Sequence, residues 1–288
     1  MNIKQVTYSL AIATTALLHS TAISSALDIE KIKSSLEASI PNLCGSQLAA
    51  AAASLYRLNS LNIEDNERAI LVNLASGKLV AYEGDLPVFK SPVLVGTPDT
   101  PTPELATKVK FIQLNPTWTV PESIVRKRGW RDRLATDPEY FVDSNFKISN
   151  NGKLSSPYDV FSDPPRSYKF VQMPGEDNAL GRAKIGLHNA GAIFLHDTNT
   201  PEAFSDDRLG VSAGCVRVQY IRELVAWASG TSTTQISRSI DSGRTKNPHL
   251  NDDVQVVLGY WTAWPDSNGN LEFYEDIYNY DHSSGSCS

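Results

Sequence analysis

The spacing of apolar residues changes character along the chain, and each change predicts a different element. From 28 to 62, Leu27, Ile32, Leu36 and Ile40 recur at near-helical spacing, Pro41 interrupts, and Gln47 to Leu58 is rich in Ala and Leu. That pattern predicts helices broken at the proline, which cannot continue the hydrogen-bond ladder. Beyond residue 66 the period shortens to that of strands. Ala69 to Leu74 reads as a strand, Ser76-Gly77 as a turn and Lys78 to Glu83 as its hairpin partner. Val88 to Val95 and Lys108 to Leu114 are further strand-like runs. Between them, Thr97-Pro98-Asp99-Thr100-Pro101-Thr102-Pro103 is too proline-rich for either regular element.

Residues 115–180 break this rhythm. They carry Trp118, Trp130, Tyr140, Tyr158 and Tyr168 among Pro, Asp and Asn, with Glu122 to Leu134 as a helical stretch. An aromatic, polar excursion of this length between strands reads as a lid over a functional site. Ala192-Ile193-Phe194-Leu195 is then a short buried strand that delivers His196, and Val216-Arg217-Val218 opens the next element. Arg222 to Ser229 is an amphipathic helix ending at Gly230. Val254 to Thr262 is a last long strand, and Ser267-Asn268-Gly269-Asn270 turns into Leu271 to Tyr274. The fold class predicted is mainly β with some α, without internal repeats.

The first residues follow a different logic. Lys4, the apolar run Tyr8 to Leu18 and the small residues Ser24-Ser25-Ala26 predict a secretory signal peptide over 1–26. The run is shorter than the about 20 residues a transmembrane helix needs, and no later segment approaches that length. The expectation is an exported chain with no transmembrane span. A net charge of −6 with no Lys/Arg block argues against nucleic acid or anionic membranes as partners.

Three cysteines change the picture further. In an oxidising compartment an odd cysteine points to a free reactive thiol or an intermolecular bridge. Cys44 and Cys287 lie near the two ends of the mature chain, which often meet, so they are the expected disulfide. Cys215 is left as the thiol.

A cysteine is a nucleophile as thiolate, and needs a base or local dipoles to become one. His196 lies 19 residues before Cys215 at the end of the buried strand, where its position is fixed. Its second nitrogen needs an acceptor, for which Asp197 or a backbone carbonyl serves. The amides of Ala213, Gly214 and Cys215 are candidates for an oxyanion pocket. His188 is a second histidine near in sequence. A zinc site from His188, His196, Asp197 and Cys215 has the ligand types without the usual close spacings. The thiol chemistry itself calls for no metal or organic cofactor. His249 and His282 fall in polar segments and read as surface residues.

These residues also carry a resemblance. Leu195-His196-Asp197-Thr198, then Ser212-Ala213-Gly214-Cys215-Val216-Arg217 with fifteen residues between His196 and Ser212, resembles the motif of the L,D-transpeptidase (YkuD-type) family. That motif is His, a spacer of 14–17, Ser/Thr, His, Gly, Cys. Further blocks look like the larger murein L,D-transpeptidases of the YcbB kind: Val95 to Pro103, Asn115 to Pro121, Pro174 to Gly181 and Tyr260 to Trp264. The resemblance spans about 66 to 280. It implies a β-sandwich-like catalytic domain over 66–280 with an aromatic-rich capping insertion at 115–180. Residues 27–65 are then an N-terminal helical segment and 281–288 a tail.

The resemblance implies Cys215 as nucleophile, His196 as the proton donor and acceptor, and the Asp197 backbone orienting the imidazole. Ser212, Arg217, Trp118 and Trp130 are the expected substrate-binding residues. The activity implied is transfer of a peptidoglycan stem tetrapeptide through a cysteine thioester, forming 3→3 cross-links in a periplasmic cell wall. A protein amine, tethering an outer-membrane protein, or water are alternative acceptors. One departure stands out: the motif's second histidine is Ala213 here, which implies reduced or retuned activity and leaves a catalytically weak peptidoglycan-binding relative as the contrasting reading.

Overall fold

Helices and strands follow the apolar periods in the residues this computed structural model describes, 29–64, 67–160, 168–189, 191–206 and 208–281. The expected leader at 1–26, and His282 and Cys287 near the C-terminus, lie outside the described residues. Two helices, α1 (Ile29–Ser39) and α2 (Gly45–Ser60), are parted by a short turn holding Pro41. α2 buries Ala50, Ala51, Ser54 and Leu58, one face at helical spacing. Cys44, just before it, is disulfide-bonded.

Four strands follow: β1 (Arg68–Asn73), β2 (Lys78–Glu83), β3 (Leu86–Gly96) and β4 (Leu105–Leu114). An insertion then contributes β5 (Trp118–Thr119), α3 (Glu122–Lys127), α4 (Trp130–Thr136), α5 (Pro138–Asp143), β6 (Phe146–Asn150), β7 (Lys153–Ser155) and β8 (Lys169–Gln172). The chain returns with β9 (Ala183–Leu187), β10 (Phe194–His196), β11 (Gly210–Ser212) and β12 (Val216–Val218). It closes with α6 (Ile221–Ser229), α7 (Thr233–Asp241), β13 (Gln255–Gly259), β14 (Ala263–Pro265) and β15 (Leu271–Phe273).

The main sheet runs β11-β3-β12-β10-β9-β4-β13-β1-β2, and β2 pairs again with β3. The sheet therefore closes on itself. β3 and β4 are long because each serves two layers. The first part of β3 pairs with β2 and its later part with β12. β4 pairs with β13 through Leu105 to Lys108 and with β9 from Val109 to Leu114, the register shifting between Val109 and Phe111. Such a bulge bends a strand and lets it pass from one layer to the other. The two layers enclose Ile70, Val72, Leu79, Ile112, Ile185, Leu195, Val216 and Leu258, to which α6 adds Leu224 and Val225. This is a β-sandwich-like core with no exposed edge between β2 and β3.

β1 and β13 read as unbroken apolar runs because both their faces are covered. Ile70, Val72, Val256 and Leu258 enter the main core, whereas Leu71 and Val257 face α1, α2 and Trp261 on the outside. The last long strand is shorter than expected. It stops at Gly259, where the Trp261 ring packs across the glycine, at 2.1 Å from where a Cβ would stand, and the chain turns into the β14–β15 hairpin. α7 has no counterpart in the apolar reading. Its signal is a capping box, with Ser232 and Gln235 each accepting from the other's backbone amide.

The insertion is a small fold of its own, a β5-β8-β6-β7 sheet with three short helices around an aromatic core. The helix expected over Glu122 to Leu134 is two helices, broken at Arg128-Gly129. Trp130 is 3% exposed and makes edge contacts with Phe141, Phe146 and Phe170 at 5.2–5.6 Å between ring centres. Its expected role in holding substrate is therefore corrected: the indole is the centre of the insertion's core. Trp130→Ala is expected to cost about 3–5 kcal/mol of local stability. Hydrogen exchange should show β6 and β8 losing protection while β1 and β13 keep theirs.

Candidate active site

Strand alternation sorts the residues of β9, β10 and β12 onto two faces. Ile185, Leu195, Val216 and Val218 enter the core. The other face carries Lys184, Gly186, Phe194, His196 and Arg217. Cross-strand register then aligns them. Gln113 of β4 lies opposite Lys184, Lys184 opposite His196, and His196 opposite Arg217. A second row runs alongside: Phe111 of β4 opposite Gly186, and Gly186 opposite Phe194. Leu195 pairs with Val216 in parallel, so Cys215, one residue before β12, comes level with Phe194.

Gly186 is required by close approach. A Cβ there would stand 2.2 Å from the Phe111 ring, which lies over the glycine. The Lys184 ammonium is 5.3 Å from the centre of that ring and 4.8 Å from the centre of Phe194. The lysine is 9% exposed.

Cys215 is presented by a turn between β11 and β12. The Ser212 hydroxyl accepts from the Gly214 amide at 3.1 Å and donates to the Cys215 carbonyl at 2.5 Å. Gly214 sits at φ +113°, a conformation that side chains rarely adopt. The proline-rich loop after β3 braces this turn: the Thr97 amide and the Thr100 hydroxyl both donate to the Ser212 carbonyl. Cys215 is a free, half-buried thiol, with its sulfur 3.7 Å from the Ala192 carbonyl. Burial pushes its pKa up, opposed by the Phe194 amide and by the charges of Lys184 and Arg217.

His196 is buried, and its Nδ1 lies 2.5 Å from the Asp197 carbonyl. A carbonyl only accepts, so Nδ1 carries the hydrogen and Nε2 keeps its lone pair. Burial pushes the imidazole pKa down to about 4, helped by Arg217 and Lys184 and opposed by the Asp197 carbonyl. At neutral pH the ring is a neutral acceptor. The Asp197 carboxylate does separate work, accepting from the Arg182 amide at 2.9 Å.

Other expected residues take different places. Ser212 is buried and its hydroxyl holds the turn that presents Cys215, so its expected substrate contact is corrected. The Gly214 amide is committed to that hydroxyl, which removes it from the expected oxyanion set and leaves the amides of Ala213 and Cys215. Ala213 is exposed at the crest of the turn, Trp118 is half-buried against Phe146, and His188 and His249 are exposed. Arg217 reaches Thr200 through Nη1 at 3.3 Å, while its Nε is buried without a partner among the described residues. Among the described residues no group of three or more His, Cys, Asp or Glu is placed to hold a metal. Lys184 and the Phe111–Gly186–Phe194 row were missed, although Ala183-Lys184-Ile185-Gly186-Leu187 alternates and sets Lys and Gly together on the face opposite the core.

A family model described as the L,D-transpeptidase catalytic domain (YkuD) matches residues 67–256. A Haemophilus influenzae protein named "Putative L,D-transpeptidase" is 32% identical over 227 residues, covering 76% of this chain and 46% of that protein. The chain thus spans less than half the length of this curated relative. Among solved structures, an L,D-transpeptidase from Mycobacterium smegmatis shares 13% identity over 66% of this chain and 58% of its own, at a TM-score of 0.32. One from Stackebrandtia nassauensis shares 13% over 73% and 65%, at a TM-score of 0.29. Similarity this loose does not bear on the site.

The buried imidazole has a consequence for pH. Its pKa falls from 6.5 in the unfolded chain to about 4 in the fold, so the folded state prefers the neutral ring. This contribution to stability, on the order of 3 kcal/mol, is fully present above pH 6.5 and lost as pH falls toward 4. Denaturant titrations from pH 7 to 4 should show a steeper stability loss for the wild type than for His196→Gln. Equal slopes would contradict the buried neutral ring.

Proposed function

We propose, from the premise that the chain belongs to the L,D-transpeptidase (YkuD) family, that Cys215 passes peptidoglycan stem tetrapeptides through a thioester. The observation that carries the reading is the thiol and the neutral imidazole on one sheet face, on adjoining strands, beside two cations. In this reading the Cys215 thiol gives its proton to Nε2 of His196 as sulfur attacks the carbonyl between diaminopimelate and the terminal D-Ala. The amides of Ala213 and Cys215 receive the developing oxyanion, a contribution of roughly 3–4 kcal/mol for a well-placed donor. His196 returns the proton to the nitrogen of the departing D-Ala. An amine of a second stem then attacks the thioester carbonyl and displaces the Cys215 sulfur; the amine's proton passes through His196 to that sulfur, restoring the thiol, and a 3→3 cross-link forms.

The exposed position of Ala213 supports an active enzyme over a silent binding relative. A side chain there stands at the crest of the turn, whereas the base at 196 and its Asp197 acceptor are retained. Protein amines and water are the other acceptors open to the same thioester. The exported, periplasmic location belongs to this proposal too, since a peptidoglycan substrate requires it.

Intact-mass measurement after incubation with a carbapenem tests the reading. One adduct of the drug's mass is expected, lost in Cys215→Ala and slowed about a hundredfold or more in His196→Gln, by the usual contribution of a positioned base. A wild-type protein that stays unmodified would count against it.

A further inference from the structure

A buried cation, Lys184, and a half-buried one, Arg217, flank the thiol, and among the described residues neither has a carboxylate to answer it. Burial pushes the pKa of both Lys184 and Arg217 down, and among the described residues the opposite charge acting on them is that of Cys215. The groups facing Cys215 across this row come from three strands, Lys184 on β9, His196 on β10 and Arg217 on β12, and none is acidic. Next along are Gln113 on β4 and Leu94 on β3, both uncharged. Burying an ammonium is costly unless something compensates it. The two aromatic rings around Lys184 supply part of that compensation through their faces. They also fix where the charge stands.

We propose that Lys184 is the positioning cation of the nucleophile: held between Phe111 and Phe194, it supplies the standing counter-charge of the Cys215 thiolate. The inference rests on reading Cys215 as the nucleophile. The S–H bond breaks, its electron pair stays on sulfur, and the proton passes to Nε2 of His196, which hands it on, to the departing amine in the transfer reaction or to solvent in simple alkylation. His196 is poorly suited to keep that proton, since burial and the two neighbouring cations hold its pKa near 4. The lasting positive charge beside sulfur is then the lysine's, assisted by Arg217. The same arrangement gives a reason for Gly186, whose missing side chain makes room for the Phe111 ring over which the ammonium lies.

The test is the pH profile of Cys215 alkylation by iodoacetamide in the full chain, with Cys215→Ala as the blank. The thiolate displaces iodide and forms a C–S bond, so the rate below the thiol pKa follows the thiolate fraction. Lys184→Met keeps the stem and removes the charge. It should move the profile up by about one pH unit or more, lowering the rate at pH 7 about tenfold. The plateau rate at high pH should be unchanged, which a general loss of structure would not produce. Lys184→Arg should restore the wild-type profile, and Lys184→Gln repeats the charge removal should the methionine variant fold poorly. A profile that superimposes on the wild type in folded Lys184→Met or Lys184→Gln overturns the proposal. Iodoacetamide needs no stem-peptide site, so a lysine-dependent profile without a carbapenem adduct would sink the transpeptidase reading and leave this inference standing.

Discussion

Cross-strand register between β9, β10 and β12 is the constraint on which the site depends. Each of these strands is three to five residues long and contributes its alternate positions to the core. Sliding any one of them by a single residue would send its chemistry-bearing side chains into that core and its apolar ones out. Leu195, Ile185, Val216 and Val218 therefore place His196, Lys184 and Arg217 as firmly as any polar contact does. The register is held in turn by closure of the sheet. β3 and β4 are shared between layers, so the site strands are tied on both sides to strands that also pair in the opposite layer.

On this frame the local chemistry is arranged by short-range hydrogen bonds. The Ser212 hydroxyl closes the turn that presents Cys215, and the proline-rich loop caps the same turn through Thr97 and Thr100. The Asp197 carbonyl selects the tautomer of His196, leaving Nε2 as the acceptor. Burial keeps both thiol and imidazole in their neutral forms, and the adjoining cations favour sulfur as the place where negative charge collects. Aromatic packing has two separate uses in the chain: in the insertion it builds a core around Trp130, and beside the site it seats a lysine.

Much of this was legible in the sequence, and the failures have physical causes. Cys215 and His196 could be named as candidates because a thiol in an odd-cysteine chain and a histidine ending a buried strand are both unusual, and the structure sets them on adjoining strands. The strands were readable because alternation and β-branching survive in a two-layer sheet. Ser212 was misassigned because a hydroxyl beside a nucleophile looks like a substrate contact, whereas a turn with Gly214 at φ +113° needs a local acceptor first. Trp130 was misassigned because composition does not separate an aromatic lid surface from an aromatic lid core. Lys184 was invisible to any reading by motif, since its partners are Phe111 on one strand and Phe194 on another. Only register brings them together.

The account stands most directly on release of D-alanine from a disaccharide-tetrapeptide incubated with the full chain, followed by mass analysis of the protein. The account predicts one D-alanine released for each thioester formed on Cys215, and none from Cys215→Ala. Tight binding of the muropeptide with no D-alanine released, or release that persists in Cys215→Ala, would contradict it.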